Sequence, residues 1–548
     1  MPRKITRKTI KARFDEYQNA LSIIKSNFSD AMIGELQYIQ KNNGNKICVS
    51  FFPEDIDLVE KCHVDDFLSS LYLSEKRLNK LRIIIKDDEK LNEPQKRFII
   101  RSVDNACYYM NLFKSAVWIE AEKGGYILDD EDREKYHKGV LECEDFLYGP
   151  RISDDISERR DVSNHLVQKF VCNQDKLSED ENNDFIYMLR KIGIDYDNVK
   201  NDQVCAIIEK ERKEKTYSSE VLADIFVKVL AIYGFNSVKI NENNSVDIEY
   251  KDKETGEYHI PVTMNTDNKR KFFQKYGIDK APKVILSDRV NNVSVNRDFQ
   301  LGYTYINVPM GNSYTFERIA RLIDHEIGTH FIREENAAQG ISIRSPGYLE
   351  TEEGIAKTNE DLVVKDIESL ARDMDLGISH IYTFFGENFD RDNVLRYIYI
   401  YNKLNGEKTE EAIKSSLARI DRVKRFHPNN IPGANRKDVV YLRGQKNIVK
   451  YLKDSDPEML RNIVDNIYLG KFSYSDIDDI SSLFDGFDTR GNDMIKPLAL
   501  GKLLMMMKNG IKTSSTEAQN DPRFLISPQE LDDNQEEKLL QIFRDMDG

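Results

Sequence analysis

Residues 322–333 read LIDHEIGTHFIR and set His325 beside Glu326, with a second histidine at His330. Two imidazoles on one helix face can hold a metal ion, and the adjacent glutamate can act as general base, as in the H-E-x-x-H zinc helix. That motif needs its second histidine at 329, where this chain has threonine. In a regular helix residues four apart are separated by about 40°, but residues five apart by about 140°, too far to grip one ion. A π-bulge absorbs the extra residue and is common at functional sites. Gly328, between the histidines, is where such a helix deforms most easily. The spacing therefore predicts a widened turn around Gly328, with Thr329 turned off the metal. Chance explains the pattern poorly, because eight histidines in this length give only about 0.01 expected H-E-x-x-x-H matches.

A catalytic metal site usually takes three protein ligands. The first candidate downstream is YLETEEGIAKTNEDL, residues 348–362, which reads as a helix start with Thr351 available as its cap. Glu352 and Glu353 are about 100° apart on that helix, so only one readily faces the histidines. Ordinary first-turn dipole compensation would also account for these acids.

The elements around the histidines follow from periodicity. Residues 14–180 read as helices with charged loops between them. A helix near 218–235 precedes short strands in SVKI, SVDIEYK, YHIPVTM, KVILSDRV, NNVSVNRDF and GYTYINVP. GYTYINVP is a candidate edge for an extended peptide, an internal strand being the alternative. Ser313 is a plausible N-cap for the helix carrying His325. Its stripe of Phe316, Ile319, Ala320, Ile323 and Ile327 should face the core, and His325, about 200° from Ile323, should point into a cleft. The chain beyond is mainly helical to about 512. The expected class is α+β, predominantly α-helical, with a helical domain over 1–180, an α+β domain over 181–512 and an acidic C-terminal appendage over 513–548.

HEIGTHFIR followed by EEGIA resembles the microtubule-associated tyrosine carboxypeptidases and their bacterial QEGLA-motif relatives, zinc metallopeptidases with an H-E-x-x-x-H helix. VILSDRVNNVSV and RKDVVYLRG are similar to further family segments, so the resemblance covers roughly 220–510. It implies a zincin-like metallopeptidase domain with a small, mainly antiparallel sheet. It also implies one Zn2+ per chain, held by His325, His330 and Glu353, with Glu326 as catalytic acid/base. Glu352 stands where the bacterial motif has glutamine. Tyr441, or else Tyr348, could supply a phenol to the oxyanion. Arg436, Lys437 and Arg443 are the nearest cations for a substrate's terminal carboxylate. The expected function is removal of a C-terminal residue, with tyrosine a candidate, from a protein or peptide by zinc-activated water. The alternatives are a catalytically silent peptide- or protein-binding scaffold of the same fold, or a zinc hydrolase of a non-peptide bond. The intact Glu326 argues against the scaffold.

Composition sets the partners. A net charge of −14 in 548 residues argues against nucleic acid or an anionic membrane. The start, MPRKITRKTIKAR, is a local basic exception and the patch on which docking to the acidic tail of tubulin, a candidate substrate, would rely. No apolar run approaches a membrane span. The six dispersed cysteines fit reduced thiols in a cytoplasmic protein. DTRGND, from Asp488, lacks the glycine and final glutamate of a calcium loop and is rejected as one. His380 and His427 have no ligand spacing and read as structural.

Overall fold

The structure, a computed structural model, describes residues 16–18, 20–21, 64–123, 128–194, 215–241, 245–251, 258–263, 271, 273–274, 278–288, 290–298, 301–340, 343–372, 376–454, 466–476, 494–511 and 531–547. The basic N-terminal stretch and Asp488 lie outside them. The N-terminal part contains the helices α1 (Val64–Lys86), α2 (Glu93–Lys123), α3 (Asp130–Tyr148), α4 (Ile156–Asn173) and α5 (Glu179–Lys191). Each starts where the sequence offers a cap or an acidic first turn. Ser178 and Glu181 form a capping box on α5, and the Asp129 and Asp155 side chains accept from the first turns of α3 and α4.

The α+β part opens with β1 (Thr216–Ser218) and α6 (Ser219–Ile232), followed by β2 (Val238–Ile240), β3 (Ser245–Lys251), β4 (Tyr258–Thr263), β5 (Lys283–Ser287), β6 (Ser294–Asp298), β7 (Tyr303–Pro309) and β8 (Ser313–Thr315). Six strands form one mixed sheet in the order β4-β3-β2-β5-β7-β6, and β1 pairs with β8 apart from it. The β2–β5 and β5–β7 pairs are parallel and the others antiparallel. GYTYINVP is thus an internal strand: β7 bonds to β5 on one side and β6 on the other, which leaves β6 at the edge.

The helix carrying His325, α7, has three consecutive parts: α-helical Phe316–Leu322, π-helical Ile323–Phe331 and α-helical Ile332–Gln339. Its cap is Thr315, whose hydroxyl accepts from Arg318 N, and not Ser313, which is drawn into β8. Next come α8 (Tyr348–Leu362), α9 (Ile367–Arg372), α10 (Ile378–Asn388), α11 (Arg391–Leu404), α12 (Thr409–Val423), α13 (Val439–Asp454), α14 (Leu500–Lys508) and α15 (Asp533–Asp547). Gly347, at φ 75°, precedes α8, so Thr351 lies inside the helix, where its hydroxyl accepts from Tyr474 N instead of capping.

Three main cores hold these elements. The expected stripe of α7 is buried with Phe226 of α6, Val284 of β5, Ile306 of β7 and Leu503 of α14, and Leu539, Ile542 and Met546 of α15 join the same core. A second core unites α1 and α2 with Ile343 and Phe472, and a third packs α4 and α5 on α10, α11 and α12. Burying each such aliphatic or aromatic side chain stabilises the fold by about 1.5–3 kcal/mol. Cys107 and Cys143 are free, but Cys172 carries a disulfide, contrary to the expectation of thiols throughout. Sequence spacing does not report the through-space approach of two cysteines that a disulfide needs.

Candidate metal centre

The π-helical part of α7 brings His325 and His330 together. Ile332 N bonds to the carbonyl of Ile327, five residues earlier, and this repeat stacks residues five apart. The two imidazole rings lie 5.0 Å apart between centroids. Thr329 is buried, and its hydroxyl donates to the Asp324 carbonyl and accepts from Asn359 of α8, so it is bonded to protein partners. The distortion spans nine residues, wider than a single bulge at Gly328. Asp324 anchors it, accepting from Gly501 N and Lys502 N at the start of α14.

Helix α8 supplies the carboxylates. Ligand-type atoms of His325, His330 and Glu353 all lie within 4.8 Å of one another. His330 Nε2 faces Glu353 Oε2 at 3.6 Å, while its Nδ1 meets Glu352 Oε1 at 2.7 Å. His325 Nδ1 meets Glu360 Oε2 at 3.0 Å. With both Nδ1 atoms engaged, Nε2 is the nitrogen each ring has left to offer. Two imidazoles oriented by carboxylates, plus a third carboxylate facing them, are the donor set of a transition-metal site. The residues present fit such an ion.

Close packing of α8 on α13 sets this geometry. A Cβ on Gly354 would lie 2.3 Å from the Gly444 carbonyl carbon, and one on Gly444 would lie 1.9 Å from Glu350 O. Only glycine allows that approach. The contact brings Tyr441 of α13 over the site.

Glu326 and Tyr441 share a cleft of about 620 Å³ with His325, Glu360, Arg318, Lys357, Ser379, Arg419 and Arg422, with Asn291 and Val293 leading into β6. Burial pushes the Glu326 carboxyl up, against the pull of His325 and His330. Burial acts the same way on Glu353, but the two histidines hold it below the usual carboxylate range. The Tyr441 phenol is pushed well up, first by Glu353 and then by burial, so it stays a donor.

The expected carboxylate grip lies elsewhere. Arg436 is buried and donates to Glu144, Asp145 and the carbonyls of Gly149 and Leu141. Arg443 donates to Glu158 and the Tyr148 carbonyl. Both tie α13 and its approach to the N-terminal helices, and with Lys437 they are absent from the cleft lining. Tyr348 is likewise outside it and accepts from Arg344. In their place α12 presents Arg419 and Arg422, which single-chain charge patterning could not distinguish from other surface cations. Arg422 is paired with Asp438, and Arg419 is exposed with no ion pair among the described residues. Glu360 was also missed, although it lies seven residues beyond Glu353 on nearly the same helix face. His380 and His427 are buried away from the metal donors, and His427 meets His137 and Glu144.

Residues 239–487 match the family model described as microtubule-associated tyrosine carboxypeptidase, the family that the motifs resemble, and this match supports a carboxypeptidase-like peptidase at family level. None of the curated proteins matches the chain significantly. Among the described residues no helix is long and apolar enough to cross a membrane.

Proposed function

We propose that the chain is a zinc-dependent carboxypeptidase that removes the C-terminal residue, with tyrosine the candidate, from a protein or peptide. The observation that carries this reading is the convergence of His325, His330 and Glu353 beside Glu326. The three converging residues would hold the ion. When bound, zinc supplies a Lewis acid that polarises the scissile carbonyl and acidifies water.

The chain's own residues do the rest. Glu326 takes the proton of the attacking water and delivers it to the leaving amine, a transfer favoured by a carboxyl raised toward the working pH. Tyr441, kept protonated, donates to the developing oxyanion. Arg419 and Arg422 stand on one face of α12, three residues apart, and are the cations for the substrate's terminal carboxylate. Among the described residues β6 is an edge strand, and its outer side would offer backbone partners to an extended peptide leading into the cleft. Tubulin is a candidate substrate through the family, and a cytoplasmic setting belongs to the same reading.

The test compares wild type with Glu326→Gln for zinc content and for release of C-terminal residues from a peptide library with varied ends. The variant should keep its zinc and lose at least about 100-fold in rate. Cleavage at the wild-type rate would sink the mechanism, and a zinc-loaded wild type inactive on every peptide would leave a binding scaffold.

A further inference from the structure

Glu352 sits next to the third candidate ligand and is only 3% exposed. Its carboxylate has three partners: His330 Nδ1 at 2.7 Å, Arg333 Nη1 and Lys471 Nζ. Lys471 Nζ also lies 3.5 Å from the His330 carbonyl oxygen and 3.5 Å from Glu334 Oε2. Lys471 comes from the segment 466–476, far from α7 and α8 in sequence, and that segment is held from two sides. Arg333 donates to the carbonyls of Ile467 and Phe472, and Ser345 N donates to the Lys471 carbonyl. On its other side, Phe472 meets Phe98 of α2 at 5.6 Å between ring centroids, and Asp476 pairs with Arg101.

We propose that Lys471 is a positioning residue for the metal centre, acting through Glu352. A buried carboxylate that orients a ligand histidine needs its own charge compensated, and Glu352 lies among Glu353 and Glu334. Arg333 compensates from one direction. Alone, it would draw the carboxylate toward itself and away from His330. Lys471 pulls on Oε1, the oxygen that meets His330, and so keeps it on the ring's Nδ1. The His330 ring is then held with Nε2 toward Glu353. This inference rests on the metallopeptidase reading.

The test uses the full chain with Lys471→Gln, Glu352→Gln, the double variant and Lys471→Arg. Zinc affinity is measured by competition with a chromophoric chelator, and site geometry by the visible spectrum of the cobalt-substituted protein. Each single Gln variant should weaken zinc about 10-fold or more, as loss of an outer partner of a ligand does. The double should weaken it no further than either single, because both changes break one chain of contacts. Lys471→Arg should restore affinity and spectrum. A folded Lys471→Gln with wild-type affinity and spectrum overturns the inference, as does a double whose loss is the product of the singles. If Lys471→Gln does not fold, Glu352→Gln decides, since it keeps size and acceptor oxygen: unchanged zinc affinity overturns the inference. A wild type that binds no zinc overturns the metallopeptidase reading as well, which separates the two failures.

Discussion

Thr329 Oγ1 donates to the carbonyl oxygen of Asp324, five residues earlier, at 2.9 Å. In a regular helix a threonine hydroxyl reaches back four residues. The extra step is the side-chain counterpart of the π-helical backbone, and Asn359 of α8 locks it by donating to the same hydroxyl at 2.8 Å. Thr329→Val keeps the shape and removes both bonds, leaving the Asn359 amide and the Asp324 carbonyl short of a buried partner. It should destabilise the fold by about 1–3 kcal/mol and weaken metal binding. Gly328→Ala should not, because a Cβ there meets nothing closer than 3.6 Å and the glycine has no positive φ. Thermal melts and metal titrations of the two variants separate a hydroxyl lock from a glycine hinge.

The two glycines at the α8–α13 crossing should tolerate no side chain. Gly354→Ala or Gly444→Ala forces the new Cβ against backbone atoms at 2.3 Å or less, and overpacking of this kind costs about 1–3 kcal/mol and sometimes more. Since α8 carries Glu353 and α13 carries Tyr441, activity should fall along with the melting temperature. A Gly444→Ala protein with wild-type stability and kinetics would refute the packing argument.

Arginines on α12 and beside α13 should respond differently to alanine. Arg419→Ala should raise KM for peptides with a free terminal carboxylate, leave amidated peptides unaffected and change stability by no more than about 0.5 kcal/mol, as an exposed substitution does. Arg436→Ala strands the buried Glu144 and should cost about 3–5 kcal/mol. Chemical denaturation and steady-state kinetics on paired free-acid and amide peptides give both readouts.

Acid stability should depend on Glu181. Burial alone would raise its carboxyl, but bonds from Lys403, Tyr399 and the Ser178 backbone prevail and hold it at about 2. A depressed carboxyl contributes stability above its unfolded value of 4.5, and that contribution is lost as pH falls from there through about 2. Lys403→Met should therefore lower the melting temperature at pH 6 and lose most of its effect near pH 2. An effect of equal size at both pH values would place the role of Lys403 in packing instead of charge.

Some of the site was legible in the residues. The five-residue spacing of His325 and His330 already required a π-type distortion if both were to hold one ion, because residues five apart on a regular helix cannot converge. The E-G-x-A motif narrowed the third ligand to two carboxylates. What that reading lacked was direction: Glu352 and Glu353 are neighbours in the chain, yet one faces Nδ1 and the other Nε2 of the same ring. Helix period separates them by angle but does not say which angle points at His330.

The sequence by itself determined the chemistry available here: which side chains can ligate, transfer a proton or donate a hydrogen bond, and the local periods that form α7 and α8. Only the tertiary structure decided which cations meet the cleft. Arg436 and Arg443 are the nearest cations in the segment similar to the family, but Arg436, just before α13, and Arg443, on α13, both bond to the N-terminal helices, while α12 delivers Arg419 and Arg422. The reason is geometric. Periodicity is a property of neighbours along one element, whereas a cleft is lined by faces of several elements, and their relative rotation is set by contacts such as Gly354 on Gly444 and Lys471 on Glu352 that join residues about a hundred positions apart.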